Sequence, residues 1–406
     1  MDLPQEASLN HHQSSLGDTI SLSNLTGVSS LVGVIDIPEG LPLRTDQRSI
    51  ATNKFHRIVD YFKIHDTDRG PYNRPRLVNL THEYSLTEES RDNLLRAFFK
   101  AVALSVNHDE DIDFDELRPK FFSFADFLLD NFFLPLKASA KRTPQPSPDY
   151  HSAVQEGQAA IAQGFVGTPA RVATLRGECL IRDHHRCVIS RSFDTREARN
   201  RFKREISTQP AKDDEGRPLL QEQRYANLEV AHILPHSLMK VNSNSQLDNS
   251  REAALRILNM FDQGVVNLIE GADIDRPSNA LTLTKDLHEQ FGDFQIFFEP
   301  IEDAQQPHTY RVDTFEPPPI ALSMGLPVTR TFYLSETRTI DPPSPRLLAI
   351  HRAIGHILHL SSAGDYINRL LQDMDEKAIP ADGSVDVGRM VQLSLSGWLD
   401  GSPTNN

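Results

Sequence analysis

The most constraining feature of the sequence is the stretch from Glu229 to Phe291, in which two short apolar runs each adjoin a polar residue suited to chemistry. The first run has the pattern of a strand and ends at His232. Asn279 precedes the second run, which passes into a helical pattern that carries His288. We therefore take His232, Asn279 and His288 as the candidate functional residues.

Composition and charge narrow the class of protein. A chain of 406 residues can form two ordinary domains, or one with appendages. The formal charge of −14 argues against a protein that binds nucleic acid over its whole surface, and leaves room for one local basic site. Two cysteines exclude a disulfide framework and a four-cysteine zinc site. With no secretory signal and no membrane span in the pattern, we expect an intracellular protein of the cytoplasm or nucleus.

The distribution of residue types predicts six segments. Residues 1–48 are rich in Ser, Asn, Gly and His, which indicates a disordered tail. Apolar residues then recur at helical spacing, and a polar run interrupted by prolines follows them. The remaining predicted segments are a helical region at 49–136, a linker at 137–167, a central domain at 168–300, a strand and helical extension at 301–376 and a mostly irregular tail at 377–406.

Shorter patterns predict individual elements of the central and C-terminal segments. Thr168 and Pro169 are typical of a helix start, and that helix should run to about Asp183. We expect short strands at residues 187–190 and 228–233, a helix at 250–261, and a strand pair at 294–298 and 309–312. The apolar spacing near the C-terminus predicts two helices, at 346–360 and 366–374.

At this point the sequence resembles a known family. The runs that carry the resemblance are Arg182 to Ser190, Ala231 to Pro235, Asn279 to Phe291 and Pro345 to Gly364. Together they are similar to the HNH nuclease domain, in the version common in fungal proteins, over roughly residues 170 to 375. The resemblance implies an α+β fold in which a ββα-metal (HNH) core has helical N-terminal and C-terminal extensions, with residues 168–300 as the HNH nuclease-like domain.

The resemblance also implies roles for the three candidate residues. His232 falls on the family's general base, which takes a proton from water at neutral pH. His288 falls on the helix-borne metal ligand, and Asn279 on the asparagine that ties down the loop beside the base. The alternatives are ordinary structural roles: a strand-capping histidine, a surface histidine and a turn asparagine.

Two departures from the family pattern bear on activity. Many HNH enzymes carry an aspartate directly before the base, and this position is Ala231. Glu229 lies on the same face of the predicted strand and is a candidate substitute ligand, as is Asp293 after the helix. The implied cofactor is a divalent metal, Mg²⁺ first, with Mn²⁺ or Zn²⁺ as alternatives.

Basic residues are concentrated before the candidate base. Residues 171–205 contain ten Arg and Lys against five Asp and Glu, an excess of five positive charges. Such an excess is what binding to a phosphate backbone requires, although charge runs are more often solvated faces. The candidate nucleic-acid-binding residues are Arg182, Arg186, Arg191, Arg196 and Arg199.

Two functional hypotheses follow. The first is a metal-dependent HNH endonuclease that hydrolyses phosphodiester bonds, with DNA favoured over RNA as the partner. The second is a catalytically degenerate HNH fold that serves as a nucleic-acid or protein interaction module, which Ala231 favours. The sequence predicts no oligomeric state.

Overall fold

The structure is a computed structural model that describes residues 42–65, 70–107, 110–140, 169–205, 210–241, 246–302, 305–334, 339–376 and 386–399. Most of the predicted tail at 1–48 and of the predicted linker at 137–167 lies outside these residues. So do residues 377–385 and 400–406 of the predicted C-terminal tail. Within the described part, helices dominate and the strands form small sheets, which is an α+β architecture.

The N-terminal region is helical. A capping pattern starts one of its helices: Thr87 accepts a hydrogen bond from Ser90 N, and Glu88 and Glu89 occupy the first turn. A π-helical turn at Leu129–Phe133 joins the last two. The helices are α1 (Thr45–His65), α2 (Arg74–Glu83), α3 (Glu88–Ala101), α4 (Phe114–Leu128) and α5 (Leu134–Ala140).

The observed ends of the helices in this region differ from the predicted segment bounds. The first helix begins at Thr45, inside the predicted tail, and α5 continues to Ala140, past the predicted linker start at 137. A charged residue such as Lys137 is usually exposed, yet this lysine is buried in the structure. Its Nζ lies 2.5 Å from Oδ1 of Asp293. A partner distant in the chain therefore keeps this lysine inside a helix.

The central segment contains the strand pair that carries His232. Its elements are α6 (Pro169–Arg182), β1 (Phe193–Asp194), α7 (Thr195–Lys203), β2 (Tyr225–Ala226), β3 (Leu228–His232), α8 (Asn249–Phe261), β4 (Ala280–Thr284) and α9 (Lys285–Gly292). Strands β3 and β4 are antiparallel, with His232 opposite Ala280 and Leu228 opposite Thr284. Helix α9 follows β4 directly and packs against both strands.

The strand predicted at residues 187–190 is a turn in the structure, with one isolated bridge between Arg186 and Phe193. Cys187 N donates to Ser192 O, so the chain reverses here instead of extending. Arg191 takes a left-handed φ of 63°, which is compatible with a tight reversal. The prediction was wrong because the apolar residues of this run are buried by tertiary contacts rather than by a strand.

The C-terminal part adds a sheet and four helices. Strands β5 (Ile296–Pro300), β6 (Thr309–Thr314) and β7 (Val328–Thr331) form an antiparallel sheet in that order, so the predicted pair has a third strand. A short helix, α10 (Pro318–Ser323), lies between β6 and β7, and α11 (Pro345–Leu360), α12 (Ala363–Asp375) and α13 (Val387–Leu395) follow. The last helix lies within the segment predicted to be a mostly irregular tail.

One hydrophobic core connects these parts. Its buried residues extend along the chain from Leu43 to Trp398. Phe132 of the π-helical turn stacks on Phe261 of α8, with 5.4 Å between the ring centroids. The N-terminal helices therefore pack directly on the central segment. In the part of the chain that the structure describes, no helix combines the length and apolar character needed to span a membrane.

Three histidines in the described regions should make the protein sensitive to acid. Burial lowers the pKa of His82 to about 4 and the pKa values of His236 and His351 to about 3. In the unfolded chain these side chains bind protons below about pH 6.5. The unfolded state therefore takes up more protons, and the stability that the three groups contribute falls as the pH decreases from 6.5 toward 4.

We expect each of these buried histidines to lower the free energy of unfolding by about 2 kcal/mol between neutral pH and pH 5. His351→Phe should flatten this dependence, because the residue stacks on Phe291 with 3.9 Å between centroids and a ring can replace it there. Urea unfolding at pH 8, 6.5 and 5 measures the effect. His65→Phe, at an exposed position of α1, is the control. Identical pH slopes for His351→Phe and wild type would contradict the expectation.

Candidate functional site

The candidate site is built on β3, β4 and α9. Side chains alternate along a strand, so Glu229 and Ala231 lie on one face of β3, and Val230 and His232 lie on the other. Val230 packs in a small apolar cluster with residues of α6. Helix α6 therefore covers the face that carries His232, whereas His288 of α9 meets the face that carries Glu229.

Asn279 fixes the backbone that follows His232. Its side chain is completely buried. Oδ1 accepts a hydrogen bond from Leu234 N at 2.9 Å, and Nδ2 donates to the carbonyl oxygens of Leu234 at 3.0 Å and Ile274 at 2.9 Å. The backbone oxygen of Asn279 also accepts from Ile233 N at 2.8 Å. The Asn279 side chain therefore links the backbone that follows His232 to the backbone that precedes β4.

A carboxylate holds the His232 imidazole. Nε2 lies 3.0 Å from Oδ1 of Asp275, and both side chains are only 1% exposed. The second oxygen of Asp275 lies 3.4 Å from Nε of Arg171. Because a carboxylate accepts hydrogen bonds, this contact favours the tautomer with the proton on Nε2 and a lone pair on Nδ1. Nδ1 is buried and has no hydrogen-bond partner among the described residues.

Asp275 is a site residue that the sequence reasoning missed. It ends a 3-10 turn at Gly271–Asp275, shortly before Asn279. Asp273 in the same turn is an equally suitable acid by sequence, yet it pairs with Arg276 at 2.8 Å instead. The only available signal was an acidic residue ahead of Asn279, and three residues satisfied it: Glu270, Asp273 and Asp275.

His236 is a second histidine close to His232, with 5.7 Å between the ring centroids. Burial, and then the proximity of His232, lower the pKa of His236 to about 3. It therefore stays neutral at physiological pH. No additional positive charge from this ring opposes protonation of His232.

A second carboxylate holds the His288 imidazole. Nδ1 lies 2.8 Å from Oε2 of Glu229. The hydrogen bond to His288 lowers the pKa of Glu229 below its usual range, while burial acts in the opposite direction. The same tautomer argument puts the proton on Nδ1 and leaves a lone pair on Nε2. That nitrogen is also buried, with no hydrogen-bond partner in the described part of the chain.

Comparison with known proteins gives a family for the segment that contains these residues. A family model described as HNH endonuclease matches residues 187–299, which include all the residues above except Arg171. This segment is an HNH nuclease domain. Searches of curated proteins and of solved structures found no match.

The HNH domain brings together only part of the candidate metal-binding set. Glu229 and His288 are in contact, whereas the Asp293 carboxylate is 2.5 Å from Lys137 Nζ on α5. Ala231 offers no donor atom. Within the described ranges, no three His, Cys, Asp or Glu side chains converge in a group that could hold a metal. The donors that the domain provides are thus one imidazole nitrogen and one carboxylate, fewer than a closed metal site needs.

Two of the five candidate nucleic-acid-binding arginines have structural roles. Arg182 is completely buried, forms two hydrogen bonds to Asp183, and donates to the carbonyl oxygens of Pro277 and Ala280 on either side of Asn279. Arg186 is also buried and pairs with Asp213 and Glu222. The donors of these two residues already bind protein groups, and nucleic-acid binding by Arg182 and Arg186 stays a prediction.

The other three candidates reach the surface to different degrees. Arg191 and Arg196 are half-buried, and Arg199 is exposed on α7. The positive excess counted in residues 171–205 is thus smaller at the surface than in the sequence. Arg201, another member of that run, pairs with Glu197 and Asp214 at 2.8 Å each. Ion pairs within the fold therefore neutralise much of the positive charge of residues 171–205.

Proposed function

We propose that the HNH domain is a metal-dependent endonuclease that hydrolyses phosphodiester bonds of nucleic acid, with DNA as the favoured substrate. One observation carries the proposal: His232 and His288 are both buried, each is held by a carboxylate at 2.8–3.0 Å, and each presents a second nitrogen without a described partner. Such tautomers suit a proton acceptor and a metal ligand. In this proposal β3, β4 and α9 are the ββα-metal core.

His232 acts as the general base. Its Nδ1 takes a proton from a water molecule whose oxygen attacks phosphorus. The bond between phosphorus and the leaving sugar oxygen breaks, and that oxygen takes a proton from solvent. Asp275 stabilises the positive charge that forms on the imidazole, and Asn279 keeps the following backbone in place. A positioned base of this kind contributes roughly 10²–10⁴-fold to the rate.

His288 is the residue that would hold a divalent ion, through Nε2, with Glu229 orienting the imidazole. The donor set fits Mg²⁺ or Mn²⁺ in a site completed by water and substrate oxygens, because Mg²⁺ commonly keeps several waters. It does not fit a closed zinc site, which requires about four protein ligands. When bound, the ion stabilises negative charge on the phosphate. Asp293 is not part of this proposed set, since Lys137 already binds it.

The small number of metal-binding side chains favours a second function. Ala231 leaves the strand without a donor at the position where many HNH enzymes have an aspartate, and the described residues contain no group of three ligands. A catalytically degenerate HNH module that binds nucleic acid or protein would also retain the fold and the basic surface. Metal binding separates the two functions.

Nicking of supercoiled plasmid by the purified full chain tests the nuclease. We expect cleavage with Mg²⁺ or Mn²⁺ and none in EDTA. His288→Ala should lower the rate about 100-fold or more, because charge stabilisation by a metal is worth several kcal/mol. His359→Ala, an exposed histidine on α11, is the matched control.

Calorimetric titration with Mn²⁺ completes the test. Wild type should bind the metal, and His288→Ala should bind it at least tenfold more weakly, by the usual cost of removing part of a metal site. A wild-type protein that neither binds metal nor nicks DNA would support the interaction module instead. Equal nicking by wild type and His288→Ala would show that His288 does not hold the catalytic metal.

A further inference from the structure

A cavity of about 580 Å³ lies outside the residues assigned to the nuclease site. It opens between the turn that follows Arg186, the segment around Asp213 to Arg224, and the end of β7. Val188 N donates to Thr282 O, so the turn beside the cavity is joined directly to β4 of the HNH domain. Five arginines line the cavity against two carboxylates, which gives the lining a formal charge of +3 (five minus two).

The two carboxylates are already paired. Asp213 lies 2.9 Å from Arg186 and 3.0 Å from Arg217, and Glu222 lies 2.6 Å from Arg186. No carboxylate of the described residues lies within ion-pair distance of the other three lining arginines, Arg191, Arg224 and Arg330. The uncompensated positive charge of the cavity therefore belongs to these three.

Arg191 and Arg330 are held close to each other without a counter-ion. Arg330 donates to Ile189 O at 2.5 Å, and Arg191 donates to Thr331 O beside it, so both side chains are fixed by backbone carbonyls. Burial, and then the charge of Arg191, lower the pKa of Arg330. Nη1 of Arg191 is buried and has no hydrogen-bond partner among the described residues. Two like charges fixed in a concave surface favour an anion between them.

Tyr333 fixes Arg191 and limits what the cavity can bind. The Arg191 guanidinium carbon lies 4.4 Å from the Tyr333 ring centroid, and the His184 ring stacks on Tyr333 at 4.3 Å. Protein groups thus already contact the ring, which favours recognition of an anion over stacking of a base.

We propose that Arg191, Arg224 and Arg330 form a binding site for a phosphate of a nucleic-acid strand. This inference rests on the proposed function and adds a substrate contact at residues other than His232 and His288. Arginine suits the role because its planar donors match phosphate oxygens. Phosphate contacts of this kind position a strand without reading its sequence.

Fluorescence anisotropy with a labelled DNA duplex, in EDTA to prevent cleavage, tests the site. Arg224→Gln and Arg330→Gln should each weaken binding about tenfold to a hundredfold, the usual effect of removing one hydrogen bond to a charged group. The slope of log affinity against log salt should become shallower by about one for each variant. Arg311→Gln, at an exposed arginine of β6 that pairs with Asp313, should change neither quantity.

Two further arms complete the experiment. Arg224 is exposed, so its substitution should leave thermal unfolding unchanged, and a folding defect in Arg330→Gln would not remove the test. Duplexes with and without a 5′-phosphate distinguish the source of the anion. Weaker binding of both duplexes assigns the site to internal phosphates, and weaker binding of the phosphorylated one alone assigns it to a strand end.

The outcomes are separable from those of the nuclease test. If Arg224→Gln and Arg330→Gln bind both duplexes as tightly as wild type, with unchanged salt slopes, the phosphate site is overturned. If they weaken binding while wild type shows no cleavage, the site stands and the proposed nuclease activity does not.

Discussion

Replacing His232 by alanine should lower the rate of plasmid nicking by roughly 10²–10⁴-fold, the usual contribution of a positioned general base. The residue is 1% exposed in its side chain, and its Nδ1 is the atom that would accept the proton. Affinity for DNA in EDTA should stay unchanged, because the imidazole makes no contribution to phosphate binding in this proposal. Single-turnover cleavage and anisotropy together measure the two effects.

Asp275→Asn should lower the cleavage rate about 10–100-fold, as expected for a group that orients a functional histidine. The amide can still accept from Nε2 of His232, but it no longer stabilises a positive imidazole. The acid limb of the pH–rate profile should consequently shift to lower pH. A merely structural role for Asp275 would not move that limb.

Asp273→Asn is the matched control, since Asp273 lies in the same turn and pairs with Arg276 at the surface. We expect its rate and pH profile to equal those of wild type. If His232→Ala nicks DNA as fast as wild type, the assignment of the general base fails whatever the control shows.

Arg182→Ala should lower the free energy of unfolding by about 3–5 kcal/mol, the typical result of removing one partner of a buried ion pair. Asp183 is completely buried beside it and would lose its counter-charge. The carbonyl oxygens of Pro277 and Ala280 would also lose a donor. Urea denaturation measures the loss, and the midpoint should fall without a large change in slope.

Arg199→Ala, in contrast to Arg182→Ala, should leave the stability of the protein almost unchanged. This arginine is exposed on α7, so its removal should change the free energy of unfolding by about 0.5 kcal/mol or less. If α7 contacts the substrate, the variant should weaken DNA binding in a salt-dependent manner.

Unchanged stability of Arg182→Ala would show that the buried ion pair does not support the site.

The sequence was sufficient to predict features that depend on local pattern. Apolar spacing located the helices at 346–360 and 366–374, and the run that ends at His232 is indeed β3. The pairing of β3 with β4 connects residues far apart in the chain, and neither the local pattern nor the resemblance predicted it. Local periodicity specifies which face of an element is buried, but it does not specify the partner.

The features that the sequence did not reveal depend on partners supplied by tertiary structure. The charges of Arg182 and Arg186 indicate a basic surface until Asp183, Asp213 and Glu222 are seen to bind them. Helix α13 was missed for a similar reason. Its Arg389 forms ion pairs with Asp126 and Asp130, which are far from it in the sequence. Asp275 became identifiable only from its contact with His232. Ion pairs between distant residues leave no periodic signal.

The continuous core from Leu43 to Trp398 has a consequence for how the HNH domain can be handled in the laboratory. The family-matching segment 187–299 contributes Phe261 to a stack with Phe132, and Phe291 to one with His351 of α11. An excised fragment with these boundaries would expose aromatic faces that the intact chain covers. Residues 187–299 therefore mark the extent of the family match, and the described helices on both sides complete the hydrophobic core of this segment.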